Sequence, residues 1–200
     1  MKKTYYEMRR VATILRDEGG YSLAASQMNP VIFEEFVGVV LEEEGEPVIW
    51  EPFAGRVGRS WFLDFAEEIG IQLLSQTLNP IDSRIVAADS TVTGPDRDIG
   101  GVLFHPPYYA SAPALDNPRD VVLNMHRANY LRSLGMVMDQ AETRIAHGGL
   151  VCAIARDYRI HGERIHLDLW MLELFEKRGY CLEDVWSSEP DIVLILRSQK

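Results

Sequence analysis

Short apolar runs alternate with longer amphipathic stretches along this chain, and the last two runs have no helix-length segment between them. Val48-Ile49-Trp50, Ile71 to Ser75, Arg84 to Ala88, Gly101 to Phe104 and Leu150 to Ala155 have the length and apolar character of buried strands. Helical spacing or helix punctuation marks residues 3–17, Val31 to Glu44, Ser60 to Ile69, Val121 to Ala146 and Arg164 to Arg178. Pro30 stands at the first helical position of the second of these, and glycines follow several of the others. Alternation of this kind builds a mostly parallel sheet covered on both faces, an α/β three-layer sandwich. The final strands, Cys181 to Trp186 and Ile192 to Leu196, are separated only by a Ser-Ser-Glu-Pro turn region, so they should pair as an antiparallel hairpin.

No repeat or linker interrupts the 200 residues, which predicts a single domain over 1–200, with helices in 1–46 packing on its ligand-binding side. Twenty basic against 30 acidic residues give a net charge of −10, so bulk attraction cannot hold nucleic acid and any such contact needs a local basic patch. Cys152 and Cys181 lie in apolar runs and read as buried thiols of a reducing compartment, not as a disulfide framework. No stretch approaches the about 20 apolar residues of a bilayer span, and none resembles an export signal. A cytoplasmic protein with no membrane partner is expected.

In open α/β sheets ligands bind beyond the carboxyl ends of the strands. After the first strand stand Glu51, Pro52, Phe53, Ala54, Gly55, Arg56, Val57 and Gly58; after the third, Asp89; after the fourth, His105, Pro106, Pro107 and Tyr108. Taken alone, Gly55 and Gly58 fit a strand-to-helix turn as well as a cofactor loop, and the Pro-Pro-Tyr piece fits a rigid turn with a packed tyrosine. Together, about 50 residues apart on successive strand ends, Glu51–Gly58 resembles the Asp-Pro-Phe-x-Gly-x-Gly cofactor motif of the amino-group DNA methyltransferases, and His105–Tyr108 resembles their Asp/Asn/Ser-Pro-Pro-Tyr catalytic motif. Gln27-Met28-Asn29-Pro30 resembles the segment that precedes the cofactor strand in that family. The likeness extends over roughly 27–196, almost the whole chain.

The resemblance implies a Rossmann-like methyltransferase fold: a seven-stranded sheet of order 3-2-1-4-5-7-6 with its antiparallel closing hairpin. It implies S-adenosylmethionine as cofactor, held by Asn29, Pro30, Glu51, Pro52, Phe53, Ala54, Gly55, Thr77 and Asp89. It implies transfer of the methyl group to adenine N6 or cytosine N4 of DNA. His105 and the Pro106 carbonyl would grip the amine's N–H groups, Pro107 would stiffen the loop, and Tyr108 would stack on the extruded base. Tyr109, Arg156, Arg159 and Arg164 are the candidate nucleic-acid contacts; a solvated loop and helix face explains these arginines equally well.

Three departures bear on the expectation. His105 replaces Asp, Asn or Ser, and an imidazole accepts a hydrogen bond only while neutral, so activity should fall as pH drops through its pKa. The second strand is followed by Gln76, Thr77, Leu78 and Asn79 where an acid for the cofactor ribose is usual; Asp64 and Asp82 are the nearest acids. No separate target-recognition domain is expected, so specificity would come from loops, a homodimer or a specificity subunit. Neither the histidines nor the two thiols show metal-like spacing, and no metal is expected. RNA or protein-amide methylation, and a catalytically silent methyltransferase-like subunit, are the alternatives. Restriction, protection and regulation are the roles open to such a DNA enzyme.

Overall fold

The computed structural model describes residues 30–43, 47–54, 60–78, 80, 82–107, 109, 126–160, 162–188 and 191–199. The strands are β1 Val48–Glu51, β2 Gln72–Thr77, β3 Val86–Ala87, β4 Ile99–Phe104, β5 Ile145–Ile160, β6 Glu163–His166, β7 Tyr180–Ser188 and β8 Asp191–Ser198. The helices are α1 Pro30–Glu43, α2 Ser60–Ile69, α3 Arg127–Glu142 and α4 Leu167–Glu176. The described strands form one eight-stranded sheet of order β3-β2-β1-β4-β5-β8-β7, with β6 paired to the far end of β5. β1 to β5 run parallel, whereas β8 is antiparallel to β5 and β7 to β8. Setting β6 aside, this is the expected order and the expected closing hairpin. The expected first helix, over residues 3–17, lies outside the described residues.

Strand side chains alternate between two cores, as a period of two requires. Ile49, Leu103, Cys152, Ile154, Val193 and Ile195 face α1 and α2. Trp50, Val102, Phe104, Val151, Ala153, Leu194 and Leu196 face α3 and α4. Phe33 of α1 meets Phe62 and Phe65 of α2 edge-on, at 5.0 and 5.8 Å between ring centroids. Gly101 lets α1 settle on β4: a Cβ there would lie 3.1 Å from Cζ of Phe36 and 3.3 Å from Cγ2 of Val40. Among the described residues no helix is long and apolar enough to cross a membrane.

Several boundaries differ from the sequence expectation. β2 runs on to Thr77, so Gln76 and Thr77 belong to the strand, not to the loop after it. β3 is only two residues long. α3 stops at Glu142, not near Ala146. Long-range pairing wins over local helix propensity there: Ile145 is drawn into the ladder opposite Ile99, whose N–H donates to the Arg144 carbonyl at 2.9 Å. Gly148 and Gly149 therefore end no helix. They carry the β5 backbone through an irregularity in its ladder with β4, Gly148 at φ 78°. The expected helix from Arg164 starts three residues later, because Glu163–His166 folds back on β5.

Candidate active site

Sheet order reverses at β1, which has β2 on one side and β4 on the other. The crevice beyond the carboxyl ends of β1 and β4 is the ligand position that such a reversal creates. Glu51 closes β1 and is only 1% exposed. Its Oε2 accepts a hydrogen bond from Ser75 Oγ of the adjacent strand at 2.7 Å, the two residues being level in the ladder. Pro52, Phe53 and Ala54 then leave the sheet under restraint from three directions. Ala54 N–H donates to the Gln76 carbonyl at 2.9 Å, and Ser90 Oγ donates to the Pro52 carbonyl at 2.8 Å. The Phe53 ring stands edge-on to Phe104, 5.1 Å away.

Gln76 ties these pieces together. It is buried, accepts from the Trp50 indole N–H, and donates through Nε2 to the Thr93 carbonyl at 3.1 Å. The end of β1 and the loop carrying Asp89 are thereby linked through β2. Thr77 ends β2 half-buried, its carbonyl accepting from Ala88 N–H at 3.0 Å. Asp89 Oδ1 accepts from the N–H of Thr91 at 3.0 Å and from its hydroxyl at 2.6 Å. Asp64 and Asp82 are at neither place: both pair with Arg84, at 2.7 and 2.8 Å. The Arg84 guanidinium holds the Asp82 carboxyl below the usual range. Asn29 and Gly55 lie outside the described residues. Pro30 is the first residue of α1, as expected.

His105 leaves β4 in a buried position, 8% exposed, followed by buried Pro106 and half-buried Pro107. The Pro107 carbonyl accepts from the Tyr130 hydroxyl of α3 at 2.9 Å. Tyr108 lies outside the described residues. The Tyr109 carbonyl accepts from the Tyr158 hydroxyl of β5 at 2.7 Å. Its ring stands 5.4 Å from both Tyr130 and Trp170, edge-on to each. Arg127 lies over the far side of this cluster, 4.3 Å from the Trp170 ring. Tyr109 is thus packed into an aromatic group under the loop. Tyr130 and Tyr158 are the residues here that sequence spacing missed, and Trp170 packs with the core as its sequence context suggests.

Arg156 and Arg159 sit on a stretch the sequence reading took for a loop, and Arg164 on one it took for the start of a helix. β5 extends past Ala155 and pairs with β6 as an antiparallel hairpin on the same edge of the sheet. Arg156, at its base, is bonded to the buried Asp191 at 2.9 Å. Arg164 is exposed and pairs with Asp157 at 2.7 Å, while Arg159, also exposed, donates to the Gly162 carbonyl at 3.1 Å. His166 Nδ1 approaches Asp157 to 3.2 Å. Asp157, His166 and Asp168 bring one potential ligand atom each to within 4.8 Å of one another, a grouping that their sequence spacing hid. Burial, joined by the charge of Asp157, holds the Asp168 carboxyl above its ordinary value.

No protein-family model matches the chain, and no curated protein matches it. Solved structures do. The N-methyltransferase NodS from Bradyrhizobium japonicum, in complex with S-adenosylhomocysteine, is 12% identical with a TM-score of 0.53, covering 99% of this chain and 100% of that one. The 1,6-didemethyltoxoflavin-N1-methyltransferase of Burkholderia thailandensis, with its substrate and S-adenosylhomocysteine, is 14% identical at TM-score 0.52, covering 96% and 78%. A Clostridium thermocellum protein described as an rRNA methylase is 10% identical at TM-score 0.53, covering 88% and 99%. At such identities the likeness is one of backbone, and it agrees with the strand order: the chain has the Rossmann-like fold of class I methyltransferases.

Proposed function

We propose that the protein is an S-adenosylmethionine-dependent methyltransferase acting on an exocyclic amino nitrogen of a DNA base, adenine N6 or cytosine N4. One observation carries the reading. A buried carboxylate, Glu51, and a buried acceptor pair, His105 with the Pro106 carbonyl, leave the sheet from neighbouring parallel strands, Trp50 being level with Val102. Adjacent strands are about 4.8 Å apart. A group bound by the first can therefore reach a group bound by the second.

The residues fit the cofactor. A buried carboxylate suits a positive group, and the methionine end of the cofactor carries an ammonium. S-adenosylmethionine, when bound, supplies a methyl group on a positively charged sulfur. Glu51 would take the ammonium, and Asn29, Pro30, Pro52, Phe53, Ala54 and Gly55 would hold the rest of that end. Thr77 and Asp89 offer oxygens to the adenosine end. His105 and the Pro106 carbonyl accept the two amine N–H groups, which favours the tetrahedral nitrogen and aims its lone pair. Tyr108 stacks on the base. Arg159 and Arg164, exposed on the hairpin, meet phosphate, and Arg156 holds the hairpin's base.

RNA is the second reading, favoured by the likeness to the Clostridium protein. A homodimer or a separate specificity subunit would supply recognition in either case. The test is to incubate the protein with tritiated S-adenosylmethionine and unmethylated DNA, total RNA or total protein. Label in DNA supports the first reading, label in RNA alone replaces it with the second, and no label with no cofactor binding removes both.

A further inference from the structure

We propose that the hydroxyls of Tyr130 and Tyr158 are positioning groups that hold the catalytic loop from two sides. The inference rests on the amine-methylation reading and adds two residues to it. The two hydroxyls grip carbonyls two residues apart, Pro107 at 2.9 Å and Tyr109 at 2.7 Å, so they bracket position 108. They come from different elements, α3 and β5, at sequence separations of 23 and 49.

The loop needs such external anchors. Residues 105–107 follow β4 with no regular secondary structure. Pro106 and Pro107 carry no N–H, so two of the donors that could tie this segment to a neighbouring strand are missing. What the backbone still offers is carbonyls. A phenol rooted in a packed core is a stiff donor with few torsions, and Tyr130 is fully buried. Phenylalanine would fill the same space at either position, so the hydroxyl is the part that packing does not account for.

Tyr130 turns the Pro107 carbonyl toward α3. Tyr158 adds a second link. It stands between Asp157, which pairs with Arg164 and His166, and Arg159 near the hairpin tip. Tyr158 thus ties the β5 end of the hairpin to the catalytic loop.

The experiment compares Tyr130→Phe, Tyr158→Phe and the double variant of the full chain with wild type. Methyl transfer is measured from tritiated S-adenosylmethionine to amplified, hence unmethylated, DNA and to total RNA. S-adenosylhomocysteine affinity is measured by calorimetry. Tyr180→Phe is the hydroxyl-deletion control: its hydroxyl is buried, bonds to nothing among the described residues and lies away from the loop. Each single variant should lose about tenfold in kcat, the cost of a small misalignment, with substrate KM changed less than about threefold and cofactor affinity within about twofold. The double variant should fall further, and Tyr180→Phe should match wild type. Wild-type kcat in both single variants would overturn the inference, as would a parallel loss of kcat, cofactor affinity and Tm. A wild-type protein inert on both nucleic acids would instead overturn the reading beneath it, and the inference with it.

Discussion

Replacing Glu51 by glutamine should move stability and cofactor affinity in opposite directions. The side chain is 1% exposed, and Ser75 Oγ donates to it at 2.7 Å. Glutamine keeps the shape and an acceptor for that hydroxyl but removes the charge. The Ser75 bond weakens from one involving a charged group to a neutral one, a loss of about 1 kcal/mol. Against this, the desolvation cost of the buried carboxylate, already offset in part by its hydrogen bonds, is relieved by about 1–2 kcal/mol. The ligand-free protein should therefore be as stable as wild type or more stable by about 1 kcal/mol. Bound cofactor loses a charge-assisted hydrogen bond of about 1.5–3 kcal/mol, which weakens binding roughly 10- to 150-fold. Urea unfolding of the ligand-free protein gives the first quantity and calorimetry with S-adenosylhomocysteine the second. A loss of more than about 1.5 kcal/mol in stability with unchanged affinity would refute the reasoning, because Glu51 would then be a structural group only.

Other consequences are equally direct. If neutral His105 is the amine acceptor, kcat should decline toward acidic pH as the imidazole protonates, and His105→Asn should flatten that limb while retaining transfer; rate profiles from pH 5.5 to 8 decide it. Cys152 is buried and its thiol is pushed well above the ordinary range, whereas Cys181 is exposed. A thiol-titrating reagent should therefore count one equivalent in the native protein and two in denaturant. Gly101→Ala should cost about 1–3 kcal/mol in urea unfolding, because Phe36 and Val40 are packed too fully to yield to a methyl group.

Much of the frame was legible because local signals agreed with it. Ser60–Ile69 is a helix over its expected bounds, and Pro30 opens α1 where a proline is best tolerated. The closing hairpin followed from two apolar runs with only a turn between them. β6 was not legible by the same rule: in Glu163-Arg164-Ile165-His166 only Ile165 is buried, so no apolar run marks a strand. A signal was nevertheless present. Ile160 and Glu163 pair across the two-residue link His161-Gly162, and Gly162 sits at φ 87°, the left-handed conformation that tight hairpin turns require. The end of α3 was illegible for another reason, since Ile145 and Ala146 suit a helix and only pairing with β4 draws the chain into a strand.

The site divides in the same way. Glu51, His105 and Asp89 stood out because they follow strands, and that alone brings them to one edge of the sheet. Ser75, Gln76, Tyr130 and Tyr158 hold that edge in shape through bonds between residues 17 to 49 apart, which no spacing rule reveals. The arginines, expected after the fifth strand, lie on strands instead: Arg156 and Arg159 within β5, Arg164 in β6. That Arg156 and Arg164 would each face an aspartate depended on the β8 and β6 pairings.

The most direct measurement identifies the methylated atom. Unmethylated DNA is incubated with the protein and a donor whose methyl group carries deuterium, then digested and its nucleosides separated and weighed. Deuterated N6-methyladenosine or N4-methylcytidine, as the deoxynucleoside, is the predicted product, and it should vanish with Tyr108→Ala while cofactor binding persists. Label on a ring carbon, or a protein that binds the cofactor yet labels neither DNA nor RNA, would contradict the account.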